Sequence, residues 1–393
     1  MTAFPRVRTG LENFLDHPPA VVRGRNLGLL FNPASVTPGF TLASRAVLDR
    51  FPGRLKALFT PQHGLFAAKQ DNMIESGHGV DPATGVPAFS LYSETRIPPD
   101  EWLKDVEVLL VDLLDVGTRV YTFMYTVSYC LEKAAKLGIP VVVLDRPNPI
   151  GGVLVEGGIL EPDFTSFVGR YPIPMRHGLT MGELATLFNR EFGIGCELSV
   201  VPVSGWTRGM AWQDTGLPWV PPSPNLPQAE SCLVYPGQVL WEGSNLSEGR
   251  GTAMPFLQVG APWLDTDQVL DFLGETPGVV LRPCAFEPTS NKWKETLCQG
   301  FYLHVTDEEA FRPVELSVRL LEAAYTLFPE DFAWKQPPYE YEWERLPMDL
   351  ILGTDRVRKA LEAGSPLDGI LQDWRREARE FKALCEPHLI YAP

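Results

Sequence analysis

The stretch VEVLLVDL at residues 106–113 decides the fold class of this 393-residue chain. It is almost entirely apolar, as expected of a strand that is covered on both faces of a parallel sheet. A second apolar run, PVVVL at residues 140–144, follows a segment with helical spacing at residues 122–137. Strand, helix and strand in this order predict a doubly wound α/β domain built on a parallel sheet.

The residues before this unit repeat the same alternation. Apolar runs at residues 26–31, 55–60 and 87–92 have the length of strands, and residues 42–51 have helical spacing. Two of these runs are followed closely by proline, which cannot continue a strand interior. The first 150 residues therefore predict further strands of the same sheet.

The pattern changes after about residue 160. Residues 180–192 predict a helix that starts with a capping box from Thr180 to Glu183. A long loop-rich stretch follows at residues 203–262, and loops of this length inside a compact domain are usually functional. Strand and helix patterns return at residues 301–305, 314–328 and 367–384. We expect an N-terminal domain at residues 1–160 and a loop-rich α/β domain at residues 161–393, facing each other across a cleft.

Charge and composition exclude several classes of partner. The chain has 49 acidic and 34 basic residues, a formal net charge of −15, which repels phosphate backbones and anionic lipid. Nucleic acid and membrane surfaces are therefore not expected as partners. The first residues have no apolar signal region, no later run is long enough for membrane insertion, and the six cysteines are widely spaced. These features predict a cytoplasmic protein, and the oligomeric state stays open.

The sequence offers no sign of a cofactor or a metal. No GxGxxG follows the first strand, and GxxxxGK[ST] is absent from the chain, so nicotinamide and ATP sites are not expected. The histidines show neither HxH nor HExxH spacing. We expect neither cofactor nor metal.

Polar residues follow three of the predicted strands directly. In open α/β sheets, ligands bind outside the carboxyl ends of the strands. These endings should therefore converge on one crevice. They are Gln62-His63-Gly64, the group Asp112, Asp115 and Arg119, and the turn from Asp145 to Asn148.

Six ordered motifs resemble one family. They are PQHGLFAAKQDNMIES at residues 61–76, VDLLDVGTRVYTF at 111–123, VVVLDRPNPIGG at 141–152, YPIPMRHGLTMGEL at 171–184, PPSPNLP at 221–227 and WEGSNLSEGRGT at 241–252. Together they resemble the family long called DUF1343, whose characterised members are exo-β-N-acetylmuramidases of the NamZ type, a class of glycoside hydrolase. The resemblance covers roughly residues 25–393. It implies a Rossmann-like N-terminal domain joined to a smaller C-terminal one, with the site between them.

The chain departs from the family pattern at two places. Many members read PEHG where this chain has Gln62, so an amide stands where a carboxylate is expected. The block from Asp71 to Glu75 also differs from its more common version. Characterised members are often exported, whereas this chain begins without a signal sequence.

Glycoside hydrolysis needs a carboxylic acid to protonate the leaving oxygen and a second group at the anomeric carbon. An N-acetyl group on the sugar can replace the second carboxylate. We predict Glu75, on a glycine-bounded loop, as the acid, and the acetamido group or Glu242 as the assisting group. His63 is the third catalytic candidate, as a hydrogen-bond partner. Glu75 as a solvated loop carboxylate is the alternative, and Glu248 is expected to be a solvated rim charge.

N-acetylmuramic acid carries a lactyl carboxylate, which an arginine fork binds well. Arg250, between two glycines, is the first candidate for this contact, followed by Arg119 and Arg176. Arg119 is alternatively a structural partner of the two nearby aspartates, and Asn148 an Asx-turn residue. Tyr121 or Trp241 would stack on the sugar. The full set of expected substrate contacts is Asp112, Asp115, Arg119, Tyr121, Asp145, Arg146, Asn148, His177, Ser223, Asn225, Asn245 and Arg250.

The resemblance implies release of N-acetylmuramic acid from the non-reducing end of peptidoglycan fragments, in cell-wall turnover or recycling. The expected substrate is a small muropeptide or a muramyl disaccharide. Two alternatives stay open. One is a non-catalytic muramyl-sugar-binding protein, which the amide at Gln62 makes conceivable, and the other is a hydrolase of a different acetamido sugar.

Overall fold

The computed structural model describes residues 6–67 and 73–392. Its centre is a sheet of seven strands in the order β3-β4-β2-β1-β5-β6-β7, and all neighbours are parallel except β3 and β4. The predicted doubly wound parallel sheet is thus confirmed. The strands are β1 (Leu27–Phe31), β2 (Leu55–Thr60), β3 (Gly79–Val80), β4 (Pro87–Ser90), β5 (Val108–Asp112), β6 (Val141–Leu144) and β7 (Leu198–Val201).

Helices cover both faces of this sheet because side chains of a strand point alternately to either side. Leu29 and Leu110 pack in one apolar cluster with α1 (Gly10–Asp16) and α2 (Ala43–Arg50). The neighbouring residues Leu30 and Val111 pack in a second cluster on the opposite face. That face is covered by α4 (Phe123–Leu137) and α5 (Met181–Glu191), and the short α3 (Asp100–Leu103) precedes β5. The predicted capping box of α5, from Thr180 to Glu183, is present.

A smaller antiparallel sheet forms the second part of the molecule. It has the order β8-β10-β9, with β8 (Gln258–Ala261), β9 (Val279–Phe286) and β10 (Cys298–Val305). Helix α6 (Glu230–Gln238) packs so closely on α8 (Pro313–Leu327) that a Cβ on Gly237 would lie 1.9 Å from the Pro313 carbonyl oxygen. The other helices are α7 (Thr266–Leu273), α8 (Pro313–Leu327), α9 (Pro347–Leu352), α10 (Arg356–Glu362) and α11 (Asp368–Cys385).

The large sheet draws on residues from both sides of residue 160, where the sequence analysis places the domain boundary. Strand β7 lies at Leu198–Val201 and pairs in parallel with β6. The segment after the predicted boundary therefore completes the first sheet before the chain enters the second.

Two buried side chains join distant parts of the chain. The Arg119 guanidinium donates hydrogen bonds to the carbonyls of Gly158 and Ile173, and also to those of Ile351 and Leu352 in α9, at 2.7–3.0 Å. Near the chain end, Tyr391 donates to the Asp145 carboxylate at 2.5 Å. Loops of the first sheet are thereby bonded to the C-terminal segment.

A buried carboxyl lies near this junction without a full set of partners. Glu156 and Arg176 pair through their backbones. Oε1 of Glu156 accepts a hydrogen bond from the Glu315 backbone at 2.7 Å, and Oε2 has no partner among the described residues. Burial raises the pKa of Glu156 to about 7. This carboxyl therefore changes charge near neutral pH.

Among the described residues, no helix has both the length and the apolar character needed to cross a membrane.

Candidate active site

A narrow pocket lies beyond the carboxyl end of β2, beside the loop that joins β5 to α4. We call it the inner pocket; its volume is about 40 Å³. Its polar lining includes residues from six separate stretches of the chain: Gln62, His63, Tyr121, Thr122, Ser223, Asn225, Glu242, Arg250, Tyr339 and Glu340. Six of the residues predicted from the sequence are therefore brought together here, namely His63, Tyr121, Ser223, Asn225, Glu242 and Arg250.

A second cavity of about 280 Å³, which we call the outer cavity, adjoins the inner pocket. The two share Glu242, Arg250, Tyr339 and Glu340, and Lys292 and Lys335 also line the outer one. Its volume is close to the lower end of the range for small-molecule sites, roughly 300 Å³. The pair of cavities suits one substituted sugar rather than a long chain.

Glu242 is an ionised carboxylate in a buried position. It lies on a 3-10 turn at Val239–Gly243 and is 5% exposed. Arg250 donates to its Oε1 at 2.6 Å, and the Tyr339 hydroxyl donates to its Oε2 at 2.8 Å. Burial alone would raise the pKa of Glu242, but Arg250 and these hydrogen bonds outweigh it and hold the pKa below its ordinary value. A fixed negative charge therefore faces both cavities.

Arg250 belongs to a chain of alternating charges. Besides Glu242, it pairs with Glu248 at 3.2 Å, and Glu248 pairs in turn with Lys292 at 2.8 Å. The expectation that Glu248 is a solvated rim charge is wrong, because its side chain is 2% exposed and lies between two cations. The backbone beside Arg250 is closely packed, since a Cβ on Gly251 would lie 2.4 Å from the Ser290 carbonyl oxygen.

Glu340 is another buried carboxyl in the cleft, and it was not predicted from the sequence. It is 5% exposed and lines both cavities. The Tyr92 hydroxyl donates to its Oε2 at 2.7 Å, and the Gln62 amide lies 3.4 Å from its Oε1. Burial raises the pKa of Glu340, and the negative charge of Glu242 adds to this effect. The pKa values of Glu242 and Glu340 are thus shifted in opposite directions.

Gln62 and His63 come from the end of β2, where the sequence predicts a polar ending. The carbonyl oxygen of the Gln62 amide accepts a hydrogen bond from Thr122 at 2.9 Å, which turns its NH₂ group towards Glu340. His63 adopts a left-handed backbone with φ of 74° and lines the inner pocket.

Glu75 lies in a different environment from the one expected. The hypothesis of a general acid requires a partly apolar pocket, but its side chain is exposed and it lies outside the residues that line the two cavities. Asp71 and Asn72, in the same divergent block, lie outside the described residues. The catalytic role of Glu75 stays a prediction.

Asp112, the last residue of β5, and Asp115, three residues later, have partners other than the one expected. Asp112 is bonded through both oxygens to Arg146, with Nη2 at 2.9 Å from Oδ2. Asp115 pairs with His177 at 3.1 Å. The expected pairing of these aspartates with Arg119 is wrong, because that guanidinium bonds carbonyl oxygens instead.

Several other predicted contacts are also engaged within the protein. Asp145 accepts hydrogen bonds from Thr180 and Tyr391. Asn148 uses both ends of its amide on backbone atoms, as expected for its Asx-turn alternative. The remaining residues of this kind are Arg176, whose Nη2 donates to Ile150 O at 2.6 Å, and Asn245, whose amide bonds Asp331 O and Ala333 N.

These residues, together with Asp112, Asp115, Arg119, Arg146 and His177, lie outside the lining of the two cavities, so their contact with substrate stays a prediction. Trp241 does not stack on a ligand in the described structure, since it is 0% exposed.

Within residues 6–67 and 73–392, no three His, Cys, Asp or Glu side chains come together in a way that would hold a metal ion.

Comparison with known proteins covers nearly the whole chain. Two family models match it, described as the N-terminal part of exo-β-N-acetylmuramidase NamZ at residues 27–230 and the C-terminal part at residues 233–391. A relative from Bacillus subtilis (strain 168), peptidoglycan β-N-acetylmuramidase NamZ, is 41% identical over 389 residues, covering 98% of this chain and 92% of the relative.

Two solved structures of DUF1343 family proteins from Bacteroides fragilis are also similar to this chain. One has a TM-score of 0.89 and 31% identity, covering 98% of this chain and 99% of the other. The second has a TM-score of 0.77 and 29% identity, covering 99% of both chains.

Proposed function

Because the chain belongs to the NamZ family of exo-β-N-acetylmuramidases, we propose that it releases N-acetylmuramic acid from the non-reducing end of peptidoglycan fragments. The main structural support for this proposal is the ionised carboxylate of Glu242 in a buried cleft. A glycosidase passes through an oxocarbenium-like transition state, and such a carboxylate stabilises the positive charge that develops there.

Glu242 is assigned to the side of the anomeric carbon. Arg250 and Tyr339 fix both of its oxygens, so it is held in one orientation without reorganisation when charge develops. It acts there either on the anomeric carbon itself or on the acetamido group that assists the reaction.

Four residues of the inner pocket are assigned to the sugar. His63, Ser223 and Asn225 offer hydrogen-bonding groups for hydroxyls and for the acetamido group, and Tyr121 offers a ring face. Tyr121 packs against Phe123 with ring centroids 4.5 Å apart, which fixes the orientation of that face.

The lactyl carboxylate needs a cation, and the charge distribution favours Lys335 in addition to Arg250. Arg250 and Lys292 are already balanced by Glu242 and Glu248. Lys335 lines the outer cavity, is exposed, and has no carboxylate within ion-pair distance in the part of the chain that is described. Its ammonium lies 5.5 Å from the ring centroid of Tyr339, the residue whose hydroxyl donates to Glu242. We therefore place the lactyl group on the Lys335 side of the cleft.

The proposed substrates are small muropeptides and muramyl disaccharides. All six cysteines are free thiols, and five of them are buried. Free thiols are typical of a reducing compartment. This supports a cytoplasmic location, and with it a role in recycling of wall fragments.

The test is incubation of the protein with a muramyl-β-1,4-glucosaminyl disaccharide, with and without EDTA, followed by mass spectrometry. Release of N-acetylmuramic acid in both tubes is expected. Binding of the disaccharide without release would instead favour a sugar-binding protein. Faster release from a glucosaminyl glycoside would favour a hydrolase of another acetamido sugar.

A further inference from the structure

Glu340 occupies a backbone conformation that its sequence disfavours. Tyr339 and Glu342 exchange two backbone hydrogen bonds of 2.9 Å, which closes a tight turn around Glu340 and Tyr341. The φ angles of these two central residues are 47° and 66°. Turns with positive φ at both central positions strongly prefer Asn-Gly. Such strain costs on the order of 1–3 kcal/mol a residue, and strained residues cluster at functional sites.

The turn places the Glu340 carboxyl in the cleft with its two oxygens in unequal surroundings. Oε2 accepts the short hydrogen bond from Tyr92, whereas Oε1 has only the distant Gln62 amide among the described residues. Oε1 is therefore the oxygen that is available to exchange a proton with a ligand.

The surroundings of Glu340 favour its protonated form over its ionised form. Within the described residues no lysine or arginine lies within ion-pair distance of its carboxyl, and Arg96, whose charge slightly favours ionisation, stacks on the ring of Tyr92 at 4.2 Å. Glu242 lies on the other side with its own counterion. Burial and Glu242 together raise the pKa of Glu340. Arg250 and Tyr339 thus favour the ionised form of Glu242, whereas the surroundings of Glu340 favour its protonated form. Glycosidases use such a pair of carboxyls with different protonation preferences.

We infer that Glu340 is the catalytic acid of this cleft, an inference that rests on the proposed function. As the bond between the anomeric carbon and the glycosidic oxygen breaks, its electron pair stays on that oxygen. The proton of Glu340 passes to the same oxygen, which leaves as a hydroxyl of the departing sugar. Water supplies the new hydroxyl of N-acetylmuramic acid, and the second proton of that water restores Glu340.

The test compares E340Q on two substrates. The muramyl-glucosaminyl disaccharide has a poor leaving group, whereas a dinitrophenyl β-N-acetylmuramide has one that departs without a proton. We expect kcat to fall about 100-fold or more on the disaccharide, in line with the usual worth of general acid catalysis, and less than about tenfold on the aryl substrate. The matched control is E344Q, because Glu344 is exposed on the same loop.

The outcomes separate three cases. An equal loss on both substrates, or normal turnover of the disaccharide, overturns the assignment of Glu340. A leaving-group-dependent loss in E75Q instead of E340Q transfers the role to Glu75. If the unmodified protein cleaves neither substrate, the proposed function fails first.

A second variant keeps the carboxyl in place. Y92F removes the hydrogen bond that favours the ionised form of Glu340, so its pKa rises further. The alkaline limb of the pH profile of kcat/KM should move to higher pH. An unmoved limb in a folded, active variant overturns the inference even if E340Q does not fold.

Discussion

Gln62 and Glu340 face each other across the inner pocket, with the amide Nε2 3.4 Å from the carboxyl Oε1. They are 278 residues apart in the chain. A second carboxylate at position 62 would put two acidic groups within reach of one proton, and like charges at this distance raise the pKa of the pair.

We expect Q62E to retain activity while the alkaline limb of its pH profile moves to higher pH. The reason is that the new carboxylate holds the proton of Glu340 more tightly. The measurement is kcat/KM on the disaccharide from acidic to alkaline pH. A profile that shifts towards lower pH would contradict the proximity of the two groups.

E242Q should lower kcat by about 100-fold or more, because the neutral amide no longer stabilises positive charge at the anomeric carbon. The fold should persist, since Arg250 keeps Glu248 as a partner. Steady-state kinetics and a thermal melt check both points, with E230Q as the control on an exposed glutamate. Unchanged kcat would remove Glu242 from the mechanism.

K335M should raise KM for muramyl substrates about threefold to tenfold and leave glucosaminyl substrates unaffected. That range corresponds to the modest worth of one exposed ionic contact, about 1 kcal/mol. K294M, at an exposed lysine, is the control. Equal effects on both kinds of substrate would mean that Lys335 does not bind the lactyl carboxylate.

R119M should destabilise the protein by about 3–5 kcal/mol, the range for breaking a buried hydrogen-bond network. Four carbonyl oxygens lose their donor, and helix α9 loses its hydrogen bonds to Arg119. Urea denaturation measures the effect, with R45M as the surface control. If R119M keeps normal stability but loses activity, the contact between Arg119 and the substrate that was predicted from the sequence is favoured.

E156Q should remove part of the pH dependence of stability. The pKa of Glu156 is raised by burial from 4.5 to about 7, so its contribution is complete below 4.5 and is lost as pH rises through 7. The unmodified protein therefore loses as much as about 3 kcal/mol over this range through this group alone. Denaturation at several pH values should find E156Q more stable than the unmodified protein above pH 7. Near pH 4, E156Q should be as stable as the control variant E101Q, which changes an exposed glutamate. Parallel curves of stability against pH for E156Q and the unmodified protein would contradict this role of Glu156.

Strands β1, β2, β4, β5 and β6 of the large sheet could be predicted because they are mostly apolar runs, whereas the short β3 and β7 were not predicted. Because the ends of parallel strands meet at one edge, three polar strand endings were expected in one crevice. His63 lines the inner pocket, whereas the endings after β5 and β6 lie outside the lining of both cavities. Partners within that edge were harder to predict. Arg119 is nearer to Asp112 in sequence than Arg146 is. However, β5 and β6 are neighbours, so Arg146, two residues after the end of β6, reaches that carboxylate instead.

Glu340 could not be predicted from periodicity. Its position depends on a tight turn whose central residues, Glu340 and Tyr341, replace the Asn-Gly pair that signals such a turn. The motif YEYEW at residues 339–343 offers acidic residues between aromatic ones, and this is the signal that was available. Burial of Trp241 and Glu248 likewise depends on loops without a repeating pattern.

The four carbonyls held by Arg119 come from both of the segments that the family models describe. The two sides of the cleft are thus held together by hydrogen bonds in the folded protein before a sugar binds. Little of the affinity then has to compensate for ordering the site, which is the advantage of preorganisation. Selectivity for the substrate then depends on how well a sugar fits the preformed cavities. Their volumes suit a terminal sugar that enters end-on rather than the middle of a glycan strand.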